Sequence, residues 1–295
     1  MRMTLASSKQ QRMTGQLAVL AAAFFYSTSG LFIKLLDWHP VVITGTRSFL
    51  AAFVLLTARL ISPPPKDRKN PPIPFWASGF VYAFTLFTYV IANKLTTAAN
   101  VILLQYSAPI WAALLGWALI KEKPKWEHWV TLVFVAGGLL LFFRDSLASG
   151  AFTGNALAII SGILLGAHYV LLRMMKDGNP RDALLLAHTI TGVLSIPFII
   201  LYPPILKVST VVPIVYMGFI QMGLASLLIS YGIKRTTAIQ AMLTAILDPI
   251  LSPVWVLLIT GEKPSLMALA GGAIIIAAVV ASSVIGLRRQ EAGES

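Results

Sequence analysis

Apolar residues run along this chain in long blocks. Blocks of about twenty, the length that carries a helix across a bilayer, recur at roughly 16–36, 41–61, 75–92, 97–120, 126–143, 154–174, 181–202, 210–230, 237–259 and 266–286. Short knots of proline, glycine and charge separate them. The pattern predicts ten membrane-spanning helices and leaves little chain for a soluble domain. The longest gap, Ser62–Pro74 (SPPPKDRKNPPIP), is proline-rich, which suits an exposed connector. The first block follows Arg2, Lys9 and Arg12, as a signal peptide would. No small-residue cleavage pattern follows it, and Lys34 and Asp37 lead into the next block, so it reads as a retained helix.

Composition agrees. Of the 295 residues 57% are apolar and 12% charged, about half the charged share of a soluble domain. The net charge of +12 raises the question of nucleic acid, and its distribution answers it. With a cytoplasmic N-terminus and alternating crossings, 17 Lys and Arg fall on the cytoplasmic side and only Lys94, Arg144, Lys207 and Lys263 on the other, with Lys34 and Arg47 inside spans. That bias is a topology signal. It places both termini in the cytoplasm, predicts a multi-pass protein of the inner (plasma) membrane, and removes nucleic acid as a partner. Cysteine is absent, which excludes disulfides, thiolate metal sites and thiol catalysis. No phosphate-binding P-loop or metalloprotease signature is present. Neither a metal nor a cofactor is expected, and an enzyme is not.

The chain repeats itself. Shifted by 140 residues, Lys94–Pro124 falls on Lys234–Pro264 without a gap, with 10 identities in 31. Thr-Thr-Ala, Pro-Ile and Glu-Lys-Pro keep their spacing. The shift covers five crossings, an odd number, so the second half enters the membrane from the opposite side. Such inverted repeats build many secondary transporters. The expected organisation is a cytoplasmic tail 1–15, a five-helix repeat 16–143, an extracytoplasmic connector 144–153, an inverted repeat 154–286 and a cytoplasmic tail 287–295.

Two five-helix halves, each ending its fourth helix in proline, an apolar stretch and glutamate (Pro109 to Glu122, Pro249 to Glu262), resemble the drug/metabolite transporter superfamily. Within it the chain is similar to the EamA-type ten-helix exporters, and Arg47–Ala51 (RSFLA) is similar to that family's second helix. The resemblance implies ten helices around a central cavity lined mainly by helices 1, 3, 4, 6, 8 and 9. It also implies export of amino acids, aromatic ones included, or other small metabolites.

The least expected residues are Asp248 and Pro249, inside the apolar run Leu243–Ile259. Asp248 falls near mid-membrane, where charge costs roughly 2.5–3.5 kcal/mol on insertion scales and faces a cavity or a partner. Gln240, Thr244, Asp248 and Ser252 recur every four residues, one polar stripe on a helix. Pro249 and Pro253 free backbone carbonyls beside the stripe, and Pro109 marks the matching point of helix 4. These three prolines are candidate hinges. A pocket of Tyr26, Tyr82, Thr85, Gln105, Tyr106, His168, Gln221, Thr244 and Asp248 would be aromatic-walled with a few polar groups, as suits a small amphipathic solute. Each also has a plainer reading: interhelical packing for the tyrosines and His168, a protonated or hydrogen-bonded acid for Asp248, helix bending for the prolines. Lys34 and Arg47, near the outer ends of helices 1 and 2, read either as snorkelling or paired charges or as a solute-carboxylate site at the outer mouth. Gly137-Gly138 and Gly271-Gly272 allow close packing of helices 5 and 10, within one chain or in a homodimer. Besides the bilayer, the partner expected is a small-molecule solute. The first reading of function is a secondary exporter of amino acids and similar metabolites by alternating access; the alternative is cationic drugs or nucleoside-like solutes on the same architecture.

Overall fold

The computed structural model describes residues 2–63, 72–121, 126–149, 151–175, 179–233, 235, 245 and 247–291. Every regular element among them is helical. Crossing 1 is α1 (Arg2–Ser27) with α2 (Ser29–Leu35), crossing 2 is α3 (Pro40–Ile61) and crossing 3 is α4 (Pro72–Leu95). Crossing 4 is α5 (Ala98–Gln105) with α6 (Ala108–Ile120), and crossing 5 is α7 (Trp126–Ser149). Crossings 6 and 7 are α8 (Phe152–Met174) and α9 (Pro180–Leu201). Crossing 8 joins α10 (Val208–Val215), a π-helical stretch Tyr216–Leu224 and α11 (Ala225–Ile233). The described part of crossing 9 is α12 (Leu247–Thr260), and crossing 10 is α13 (Leu266–Glu291). Seven of these stretches are long and apolar enough to cross a membrane; Trp129–Gly138, Leu247–Thr260 and Leu266–Ala281 are shorter apolar helices. Helix overruns the expected boundaries: α1 starts at Arg2, ahead of 16, and α7 runs to Ser149, where a connector was expected from 144.

The repeat is visible in the packing. Crossing 1 packs on 8 and 9, and its repeat partner, crossing 6, packs on 3 and 4. Crossing 2 packs on 7 and 8, and crossing 7 on 2 and 3. Crossing 5 packs on 10. For these pairs, adding five to both members returns another of them. Close approach follows the same rule. A Cβ at Gly30 would lie 3.3 Å from Ser252 Oγ, and one at Gly166 would lie 2.8 Å from the backbone nitrogen of Ala112. Ala112 and Ser252 are 140 residues apart. So are Lys121 and Gly261, which follow crossings 4 and 9 and are, among the described residues, the two with positive φ, 60° and 72°. The glycines of crossings 5 and 10 bring those helices together within the chain: a Cβ at Gly138 would lie 2.8 Å from the Gly271 carbonyl.

Lipid tails are as apolar as leucine, so this bundle is held by dispersion and by interhelical hydrogen bonds of about 0.6 kcal/mol each. Large side chains such as Leu60, Leu206 and Leu258 point outward, as a lipid-facing surface requires.

Candidate functional site

Crossings 1, 4 and 8 lose regular α-helix part-way across, and local chemistry accounts for each case. In crossing 1, Ser27 and Thr28 turn their hydroxyls back onto the carbonyls of Phe24 and Phe25, both at 2.7 Å. Back-bonding of this kind bends helices, and α1 gives way to α2 at Thr28. In crossing 4, Pro109 has no N–H to donate. The chain breaks at Tyr106–Ser107, and Ser107 caps the Leu104 carbonyl at 2.7 Å. In crossing 8, Pro213 precedes the π-helical stretch, whose Gly218 and Gly223 lie against Leu50 and Val54 of crossing 2.

Four of the residues singled out in the sequence, Tyr26, Gln105, Tyr106 and Gln221, lie at these breaks. Tyr26 sits just before the first break, its hydroxyl 3.3 Å from Ser226 Oγ. Gln105 and Tyr106 are at the second, and Gln105 donates to Ser161 Oγ at 2.7 Å. Gln221 lies in the π-helical stretch and donates to Thr28 Oγ1 at 2.9 Å. Asp248 opens α12, with Pro249 buried beside it and Pro253 a turn later. Its carboxylate stands within electrostatic reach of Tyr26, Tyr89, Tyr106 and Tyr169, which come from crossings 1, 3, 4 and 6. Trp255 of the same helix donates to Ser27 Oγ at 2.9 Å.

Three expected residues have different settings. Thr85 is buried and gives its hydroxyl to Val81 O of its own helix at 2.9 Å. His168 is enclosed behind Tyr82, its ring stacked on the phenol at 4.4 Å and its Nδ1 hydrogen-bonded with Ser78 Oγ at 2.9 Å. Thr244, like Gln240, lies outside the described residues.

Several polar atoms in this layer have no hydrogen-bond partner: Asp248 Oδ1, Gln221 Oε1, His188 Nε2, and Nε and Nη2 of Arg47. Arg47 corrects an expectation. It does not snorkel at the outer mouth, nor does it pair with Asp37, which is exposed. It is fully enclosed, seven positions into crossing 2, about 10 Å along the axis from Pro40. Sequence position alone placed it near the helix end; the long side chain turns inward to Ser29 instead.

The ends of the crossings around Lys34, by contrast, are tied. Lys34, at the end of crossing 1, pairs with Glu262 at 3.0 Å and donates to the Thr96 carbonyl at 2.7 Å. Glu262 also accepts from the Ala98 backbone N–H at 2.8 Å, at the first turn of crossing 4. Lys94 donates to the Leu36 carbonyl. Thr96 and Asn100 converge on Asn155 of crossing 6. A vestibule of about 430 Å³ lies over this network, lined by Lys34, Lys94, Thr97, Asn100, Lys263 and neighbours. Among the described residues no group of three His, Cys, Asp or Glu side chains could hold a metal.

A bundle of apolar crossings, built twice in opposite orientation, with broken helices meeting at a polar mid-membrane layer, defines a membrane transporter scaffold. The model of the EamA-like transporter family matches residues 13–144 and again 152–284. The chain belongs to that family. It is 25% identical over 298 residues to a Bacillus subtilis protein described as the uncharacterized transporter YwfM, covering 95% of this chain and 96% of that one. An uncharacterized transporter of Archaeoglobus fulgidus is 21% identical over 90% of this chain and 95% of its own. The human solute carrier family 35 member G1 is 24% identical over 55% of this chain and 48% of its own. A solved crystal structure superposes with a TM-score of 0.66 at 22% identity, over 94% of this chain and 99% of the other, which establishes likeness of fold.

Proposed function

We propose that this transporter exports small amphipathic metabolites, amino acids and aromatic ones foremost, by alternating access across the plasma membrane, with both termini in the cytoplasm. The observation that carries the reading is Asp248, which has an unpaired oxygen, lies on the helix packed against the break in crossing 1, and is within electrostatic reach of four tyrosines. Such a site supplies an acceptor for an ammonium and aromatic faces for an apolar side chain. Tyr26, Tyr82, Gln105, Tyr106, Gln221, Thr244 and Asp248 are its proposed contacts; Thr85 and His168 belong to it as supports of the wall. Pro109, Pro249 and Pro253 are the proposed hinges, and Lys34–Glu262 the outer barrier that must open.

The competing reading, cationic drugs or nucleoside-like solutes, draws on the same carboxylate and rings. Uptake of labelled phenylalanine into liposomes holding the purified protein separates them. Competition led by tryptophan and tyrosine is expected; competition led by a lipophilic cation or a nucleoside would transfer the assignment. Orientation has its own check in this cysteine-free chain. A cysteine at Ser146 should react with an impermeant thiol reagent on intact cells, and one at Ser295 should not.

A further inference from the structure

We infer that Arg47 is the carboxylate receptor of the transport path, and that the solute is a zwitterion held between Arg47 and Asp248. This rests on the reading of the protein as an exporter of small metabolites, and narrows its cargo to solutes bearing both charges.

Arg47 is fully enclosed, seven positions into the apolar helix of crossing 2. Arginine does not give up its proton in proteins, so the charge is permanent. Its one hydrogen bond is from Nη1 to Ser29 Oγ at 3.3 Å. No carboxylate pairs with it: the ion pairs among the described residues are Lys34–Glu262 and Arg59–Asp182. An enclosed and unpaired guanidinium is a poor structural element, because an apolar side chain of similar volume would fill the space without the desolvation cost.

The pattern of unpaired atoms is specific. Nε and Nη2 are the two nitrogens without an acceptor, and their N–H groups share one edge of the guanidinium plane. That edge is a fork whose two parallel donors match the two oxygens of one carboxylate. The acid is on a neighbouring helix: Ser29 holds Arg47, and a Cβ at Gly30, the next residue, would lie 3.3 Å from Ser252 Oγ, one turn after Asp248. Arg47 and Asp248 are not themselves joined. A buried guanidinium and a half-buried acid, each with an unpaired polar atom, suit a solute that brings a carboxylate to one and an ammonium to the other.

Access to the fork is tied to the outer barrier. Ser29 is the first residue of α2, beyond the break at Thr28, and the same short piece carries Lys34. When Lys34 parts from Glu262, the piece that holds Ser29 against Arg47 is released with it, and the fork opens to the path.

Three probes of one shape test this: L-phenylalanine, L-phenylalaninamide (no carboxylate) and 3-phenylpropionate (no ammonium), taken up by liposomes holding wild type, Arg47→Gln or Arg47→Lys. Wild type should favour phenylalanine over phenylalaninamide by tenfold or more in kcat/KM. Arg47→Gln should bring that ratio near one, chiefly by losing phenylalanine, and Arg47→Lys should restore part of it. A purely structural arginine would lower uptake of both probes alike and leave the ratio untouched. An unchanged ratio in Arg47→Gln overturns this inference and leaves amino-acid export standing. So does a wild type that takes up the amide as well as the zwitterion, whether or not the variants fold. Uptake of none of the three by wild type removes the amino-acid reading, and this inference with it.

Discussion

Crossings 4 and 9 are the same helix built twice, and they have diverged where it matters. Both carry a proline at the repeat position, Pro109 and Pro249. Both end in a left-handed residue, Lys121 and Gly261. The residue before the proline is Ala108 in one and Asp248 in the other. In crossing 4 the nearby polar groups are satisfied: Gln105 donates to Ser161, Trp111 to Ser107, and Ser107 to its own helix. In crossing 9 Asp248 keeps an unpaired oxygen. The two copies share the proline and the left-handed cap, while the acid before the proline is present in crossing 9 alone. A duplicated scaffold with unlike residues in its two halves offers a solute one binding orientation.

The largest break in that comparison is Asp248→Asn, which keeps shape and removes charge. Transport should fall by about a hundredfold, the loss of roughly 2.7 kcal/mol of a charge-assisted contact. Thermal stability should hold or rise, since an uncompensated carboxylate is no longer taken out of water. Wild-type rates with an unchanged pH profile would make Asp248 structural and leave Pro249 as the working part of the motif. The converse change is Ala108→Asp. Ala108 is buried. This substitution should destabilise by about 3 kcal/mol, and it should fail to rescue Asp248→Asn. Rescue would mean that the two halves are chemically interchangeable.

How much of this was legible follows the range of the interactions. The apolar blocks, the 140-residue repeat and the proline beside the break in crossing 4 are local signals. The break in crossing 1 has no proline. Its signal is the hydroxyl run Ser27-Thr28-Ser29, which bends a helix only when the side chains turn back on it, as they do at Phe24 and Phe25. The π-helical stretch of crossing 8 depends on how Gly218 and Gly223 meet crossing 2, a contact across more than 160 residues. Arg47 was misplaced for the same reason: sequence gives the position of its Cα and not the direction of a long side chain. The pairing of Lys34 with Glu262 joins residues 228 apart and cannot be read from either motif alone.

That pairing sets a smaller test. Lys34 and Glu262 are each about a fifth exposed, and an ion pair so placed contributes no more than about 1 kcal/mol. Glu262→Gln keeps the acceptor for the Ala98 N–H and loses the charge. If the pair holds the outer end shut, a cysteine at Thr28 should react with an impermeant reagent roughly fivefold faster in Glu262→Gln than with Glu262 in place, in line with about 1 kcal/mol. Lys34→Gln should do the same. Equal labelling rates would reduce the pair to decoration on a barrier held by packing.

The smallest effects lie at the caps, and there the two halves should respond with opposite sign. A left-handed residue with a Cβ costs roughly 1–2 kcal/mol, and glycine is the residue that helices most often place at this position. Gly261 meets that demand, and Lys121, at φ 60°, does not. Nothing lies within 4 Å of a Cβ placed at Gly261, so Gly261→Ala probes the backbone alone and should destabilise by about 1 kcal/mol. Lys121→Gly removes the steric cost but gives the unfolded chain more freedom, worth roughly 0.5–1 kcal/mol. Its net gain should be a few tenths of a kcal/mol. Lys121→Asn, which tolerates the left-handed region through its short polar side chain, should fall between. Melting temperatures in one detergent would order the variants Lys121→Gly, Lys121→Asn, wild type and Gly261→Ala, from most to least stable. A melting temperature for Gly261→Ala equal to wild type would show that the two ends are not equivalent caps, and would limit the repeat to the interior of the helices.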